Sequence, residues 1–134
     1  LSRRDSRVHV PGFVDDVRPY FQKSTVFVCP ITDGGGTRLK ILDALAMGMP
    51  VVSTTFAASG LDLVQNKHLL LADNPEAFMD AILRLFRNDA LRQALSIGGR
   101  DIVASTYSWE VVGKKLRDAY TVARQSGSRF SSNL

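Results

Sequence analysis

Between Val26 and Thr54 the chain runs through an apolar stretch, three glycines, a greasy helical pattern and a glycine–proline stop. Nothing else in it constrains the fold as tightly. Val26-Phe27-Val28-Cys29-Pro30 reads as a strand, and Asp33-Gly34-Gly35-Gly36-Thr37 as the loop that follows. Leu39, Leu42, Leu45 and Ala46 then recur at helical spacing, with Ile41, Ala44 and Met47 filling in between. A helix apolar on nearly every side is buried on nearly every side. Gly48 supplies a left-handed C-terminal cap and Pro50 forbids continuation. Pro50-Val51-Val52-Ser53-Thr54 is β-branched without alternation, the pattern of an interior strand of a parallel sheet covered on both faces.

A strand, a glycine loop and a helix N-terminus in that order can hold a phosphate. Glycine lets bare backbone approach the anion, and the first helical amides point at it. The positive end of the macrodipole adds about 0.3–1 kcal/mol at exposed sites. A plain turn is the competing reading of three glycines. Lys40 and Asp43 sharpen the choice, because at a spacing of three they share one face of the greasy helix. An unpaired charge out of water is costly, so the two either pair with each other or face a cleft.

These residues resemble a family, the nucleotide-sugar-binding half of GT-B glycosyltransferases of the family-4-like kind (glycosyl transferases group 1). The matching stretches are Val10-Pro11-Gly12-Phe13-Val14-Asp15-Asp16, Val26 to Pro30, Gly34 to Val52 and Tyr107-Ser108-Trp109. The resemblance implies the C-terminal donor domain, truncated: an α/β fold with a partial doubly wound, Rossmann-like parallel sheet of about four strands and flanking helices. It implies a domain over residues 1–125 lacking its first two strands, with 126–134 as a flexible tail. The activity implied is a retaining sugar transfer from a nucleotide-diphosphate sugar, of hexosyltransferase type, in a full-length enzyme. The separate N-terminal acceptor domain would be missing, and the chain by itself is expected to show no turnover.

The family's second motif acid, which hydrogen-bonds the donor ribose, falls on Asp43, where glutamate is usual. Its first motif acid falls on Gly35, which has no carboxylate; Asp33 either substitutes for it from the loop or is a turn residue. By the same resemblance Gly34, Gly35, Gly36 and Thr37 supply contacts to sugar hydroxyls and diphosphate, and Gly12, Phe13 and Val14 line the base pocket. Arg38 and Lys40 stabilise charge on the departing diphosphate, so Asp33 and Lys40 are the catalytic candidates. The family needs no bound divalent cation or other cofactor, and His9 and His68 stand without ligand spacing around them. Two other readings remain: a non-catalytic nucleotide- or phosphate-binding module, and a fragment of a GT-B nucleotide-sugar epimerase.

With 134 residues and 45% hydrophobic content the chain can bury one core. Cys29, the single cysteine, sits in an apolar strand as a core residue. No run reaches the ~20 apolar residues of a membrane span and no signal-peptide pattern opens the chain, so a cytoplasmic location is expected. The chain begins at Leu1 in a basic segment, which reads as a fragment. Its net charge of +4 is dispersed without interleaved aromatics, which argues against nucleic acid as a partner. Lys114, Lys115, Arg117 and Arg124 gather near the C-terminus, either as a solvated helix face or for peripheral contact with the inner membrane face.

Helices are expected around Val14–Phe21, from Pro75 with Asp73 or Asn74 as the cap, around Leu91–Ile102 and after Ser108, with a short strand at His68–Ala72. Phe78, Ile82, Leu85 and Phe86 are read as one buried stripe, and Trp109, Val112, Leu116, Ala119 and Ala123 as another, their aromatics in the core. Arg7 to Val10 would pair beside Val26 to Cys29, pair with another molecule or stay loose. Exposed sheet edges make self-association a further expectation.

Overall fold

The computed structural model describes residues 5–36 and 38–130, the side chains of 125–130 excepted. Three short parallel strands form the sheet, β1 (Phe27–Cys29), β2 (Val51–Ser53) and β3 (Leu70–Leu71), in spatial order β1-β2-β3. Phe27 lies opposite Val51, Cys29 opposite Ser53, and Val52 opposite Leu70. Every residue of β2 is buried, as its unalternating β-branched sequence requires of a central strand covered above and below.

Helices line both faces. α1 (Arg18–Lys23) precedes β1, α2 (Leu39–Ala46) links β1 to β2, and the short α3 (Thr55–Ala58) follows β2. On one face Cys29 and Val51 pack with Ile41, Ala44 and Leu45 of α2, with Ala57 and Ala58, and with Leu69. On the other, Val52 and Leu70 meet Leu85 of α4 (Pro75–Arg87) and Leu95 of α5 (Asp89–Ile102). A π-helical turn, Val103–Tyr107, leads into the 22-residue α6 (Trp109–Phe130).

The helix ends follow local chemistry. Asn74 accepts from the Ala77 amide at 2.8 Å with Pro75 at the first helical position, so Asn74 is the cap of α4. Asp73 does other work. Its carboxylate takes the Thr55 amide and hydroxyl, both at 2.7 Å, and these bonds hold its pKa below the usual carboxylate value. Gly48 ends α2 at φ +72, as a C-terminal cap should. Ser108 accepts from the Val111 amide at the start of α6.

Four expectations need correction. The described sheet has three strands, because residues 7–10 pair with nothing in it. The Asp5 carboxylate instead takes the Arg7 amide and guanidinium and the Asp5 carbonyl takes the Val8 amide, closing a turn. Val8 and Val10 are too exposed to offset the cost of ordering a strand. β1 is therefore an edge strand, and Val28 in its middle is 43% exposed. Phe86 points out of the α4 core stripe, which Leu85 completes. Trp109 and Leu116 are exposed, since only the start of α6 is partly covered, at Val111 and Gly113, and every described side chain from Lys114 to Arg124 is exposed. Finally, α6 continues through residues expected as a tail, as far as Phe130; 131–134 lie outside the described residues.

Candidate functional site

Open α/β sheets bind ligands beyond the carboxyl ends of their strands, and the triglycine loop sits there, between β1 and α2. Gly34 and Gly36 adopt φ +115 and +114, outside the range other residues accept readily, while a side chain on Gly34, Gly35 or Gly36 would meet nothing within 4 Å. Gly34 and Gly36 are thus fixed by backbone conformation, and all three glycines face open space that a ligand can enter. Asp33 turns back on the loop, its Oδ1 accepting from the Gly34 amide at 2.7 Å.

The loop borders a cleft of about 240 Å³. Cys29, Ile31, Ile41 and Ala57 form its apolar floor, and Asp33, Gly34, Gly35, Arg38 and Lys40 its polar rim. Two cations against one carboxylate leave the rim positive. Arg38 occupies the N-cap position of α2 and makes no side-chain cap bond, so among the described residues no side chain caps the first helical amides. Its guanidinium lies 5.0 Å from the Phe56 ring centroid and donates to Ser59 Oγ at 3.3 Å. Arg38 is thereby held in place, while Lys40 is exposed with no ion-pair partner among the described residues.

The structure brings together Asp33, Gly34, Gly35, Arg38 and Lys40 of the expected site. Gly36 continues the loop, and Thr37 lies outside the described residues. Asp43 is exposed on α2 but does not line the cleft, and it makes no ion pair with Lys40. Gly12, Phe13 and Val14 do not line it either; Phe13 is 92% exposed. Sequence reasoning missed the wall built by α3. Its signal was Thr54, whose hydroxyl accepts from the Ala57 amide at 3.0 Å and donates to the Ile31 carbonyl, tying α3 to the loop after β1.

A second, larger hollow of about 510 Å³ lies between the strand ends and α4. Its walls are apolar, chiefly Pro30, Phe78, Met79, Ile82 and Leu83. Of the acceptors at its rim, Asp73 is engaged by Thr55 and Asn74 by the α4 amide. It offers a charged ligand no cation, so the triglycine cleft is the better candidate. Among the described residues no group of three or more His, Cys, Asp or Glu could hold a metal ion.

The model of the family described as "Glycosyl transferases group 1" matches residues 1–88. The chain belongs to this family. It is 30% identical over 122 residues to a phosphatidyl-myo-inositol mannosyltransferase of Mycobacterium leprae, covering 88% of this chain and 32% of that protein. It is 23% identical over 93 residues to an uncharacterized 44.6 kDa protein of the cps region of Klebsiella pneumoniae, covering 69% and 24%. The chain thus spans about a third or less of the curated relatives it matches.

Solved structures share the fold. Sucrose-phosphate synthase from Thermosynechococcus elongatus aligns with a TM-score of 0.70 at 22% identity, over 82% of this chain and 28% of that one. The C-terminal domain of a glycosyl transferase group 1 protein from Francisella tularensis aligns with a TM-score of 0.63, also at 22% identity, over 73% and 52%. The parallel sheet with helices on both faces is the architecture they have in common with this chain.

Proposed function

We propose that this chain is part of the donor-binding half of a retaining glycosyltransferase, which takes a nucleotide-diphosphate sugar and passes the sugar to an acceptor held elsewhere in a longer protein. One observation carries the reading: the triglycine loop, the start of α2 and Lys40 converge on one open, positive cleft at the carboxyl end of the sheet. As the glycosidic bond breaks, negative charge collects on the departing diphosphate. A cation and helix amides already in place stabilise that charge with little reorganisation. Lys40 can reach a phosphate oxygen, and Arg38, pinned by Phe56, contributes a fixed charge.

In this reading the nucleotide lies along α2. With its diphosphate at the glycine loop and Lys40, its ribose is carried toward Asp43, about 4.5 Å further along the helix axis at 1.5 Å per residue. Asp43 then acts from outside the cleft, as the ribose acceptor. Asp33, which lines the cleft, is the carboxylate placed to meet the transferred sugar; its second oxygen remains available when the first holds the Gly34 amide. The mannosyltransferase relative carries a phosphatidyl lipid in its name, and a lipid-linked acceptor is the corresponding proposal here. No cofactor is invoked, and the chain alone is expected to bind a donor without turning it over.

Calorimetric titration of the 134-residue chain with UDP, GDP and ADP sugars tests the reading. Selective binding of one nucleotide class is expected. Lys40→Met should weaken it at least about tenfold, the loss of one charge-assisted hydrogen bond, and Asp43→Ala should weaken it with the fold intact. Equal binding of inorganic pyrophosphate and all three nucleotides would instead indicate a general anion module.

A further inference from the structure

Arg38 stands on the rim of the donor cleft, but the residues that hold it do not line the cleft. Its guanidinium rests over the Phe56 ring and donates to Ser59 Oγ at 3.3 Å. Whatever keeps Ser59 in place therefore helps to shape the cleft.

Ser59 opens the turn that follows α3. Its hydroxyl donates to the Phe56 carbonyl at 2.7 Å, which leaves its oxygen as an acceptor toward Arg38. At Gly60 the backbone is left-handed, φ +80, and a side chain there would meet nothing within 4 Å. The apex of the turn is thus not wedged against the domain. Leu61 packs on the core, and the Ser59 and Leu61 amides return to the Phe56 and Ala58 carbonyls of α3. Those hydrogen bonds are local. Among the described residues two others tie the turn to distant parts of the chain, one at each end. Arg38 donates to Ser59, and the Asp62 amide donates to the hydroxyl of Tyr107 at 2.6 Å.

Tyr107 is itself firmly placed. It ends the π-helical turn Val103–Tyr107, whose first residue packs on the same core cluster as Leu61. That turn also touches α2, the helix that Arg38 opens. In the stretch Tyr107-Ser108-Trp109, Ser108 caps α6 and Trp109 is exposed, whereas the half-buried Tyr107 reaches across to the turn after α3. A phenylalanine would fill the same space, so what the hydroxyl adds is the bond to Asp62.

We propose that Tyr107 is a positioning residue of the donor cleft: its hydroxyl holds the turn 59–62, and through Ser59 that turn holds the Arg38 guanidinium where a diphosphate arrives. A guanidinium fixed beforehand gives up less freedom on binding and stabilises the anion with less reorganisation. The identity of the ligand rests on the donor reading above, but the linkage itself belongs to the ligand-free protein.

The test is Tyr107→Phe in the 15N-labelled 134-residue chain, with inorganic pyrophosphate as the probe. A nucleotide-sugar site and a general anion site would both hold pyrophosphate. Before it is added, the Arg38 side-chain Nε–H signal should shift and the Asp62 amide should exchange faster with solvent, with circular dichroism unchanged. Pyrophosphate affinity should then fall about two- to tenfold. Ser59→Ala cuts the link at its other end. Adding Tyr107→Phe to it should leave both the Arg38 signal and the affinity where Ser59→Ala alone put them. A merely structural tyrosine would lower the melting temperature in either background without moving the Arg38 signal, and that result would overturn the proposal. So would full additivity of the two substitutions in affinity. If the parent chain binds no pyrophosphate, the donor reading fails, and the ligand-free Arg38 signal still decides for or against the Tyr107 link.

Discussion

Replacing glycine by alanine should act with opposite sign at two helical positions of this chain. Alanine is the better helix former by about 0.8–1.0 kcal/mol, so the change stabilises wherever a methyl group fits. At Gly113 in α6 a new Cβ meets nothing within 4 Å. At Gly98 in α5 it would stand closer than 3.0 Å to the backbone carbonyl oxygen of Lys67, an approach that real Cβ atoms essentially never show. That carbonyl belongs to the loop between Val64 and His68, which is held by the Val64 and His68 hydrogen bonds. It cannot yield as a flexible side chain would.

Overpacking of this kind costs about 1–3 kcal/mol. Subtracting the propensity gain leaves Gly98→Ala destabilised by up to about 2 kcal/mol, while Gly113→Ala gains about 0.5–1 kcal/mol. For a domain of this size each kcal/mol moves Tm by about 4 °C. Calorimetric melting should therefore show Gly98→Ala lower, by up to about 8 °C, and Gly113→Ala higher by about 2–4 °C. A Gly98→Ala protein that melts at or above the parent temperature would refute the close approach of α5 to the loop before β3.

Two further expectations concern the cleft and the loop. Phe56→Leu removes the ring under Arg38 and should cost about 0.5–1 kcal/mol, the value of an exposed cation–π contact; in a double-mutant cycle it should add little once Arg38→Gln is present, and full additivity would deny the contact. His68 is buried, with its Nδ1 accepting from the Val64 amide at 3.0 Å, and burial first, then the Lys67 charge, lowers its pKa below 6.5. The unfolded chain then binds more protons than the folded one. The stability this contributes is present above pH 6.5 and is lost as pH falls through the lowered folded pKa. Urea denaturation across this window, with the His68 ring followed by NMR, checks the sign; stability that rises on acidification would contradict it.

What could be read from the residues alone was local. Strand, glycine loop, capped helix and interior strand between Phe27 and Ser53 each follow from short-range preferences: φ freedom at the glycines, the Pro50 stop, β-branching at Val51 and Val52. The same preferences marked Asn74-Pro75 and Ser108 as helix starts. Edge and face were not legible, because they depend on partners distant in sequence. Residues 7–10 look extended yet find no strand, whereas Leu70 and Leu71 look equally short and are paired by β2. The helical spacing of Trp109 and Leu116 was plain, but nothing in that spacing said that the domain would leave them bare.

The site divides the same way. The order of glycines, Arg38 and Lys40 along the chain placed a glycine loop and two cations at the start of a helix. Only the packed structure decided that Phe56 and Ser59 would hold Arg38, that Ala57 would close the floor, and that Asp43 would stay outside the cleft. Local sequence sets backbone conformation through sterics and hydrogen bonds a few residues long. Which side chains share a cavity is settled by burying apolar surface across the whole chain, and that sum is known only once the helices have docked on the sheet.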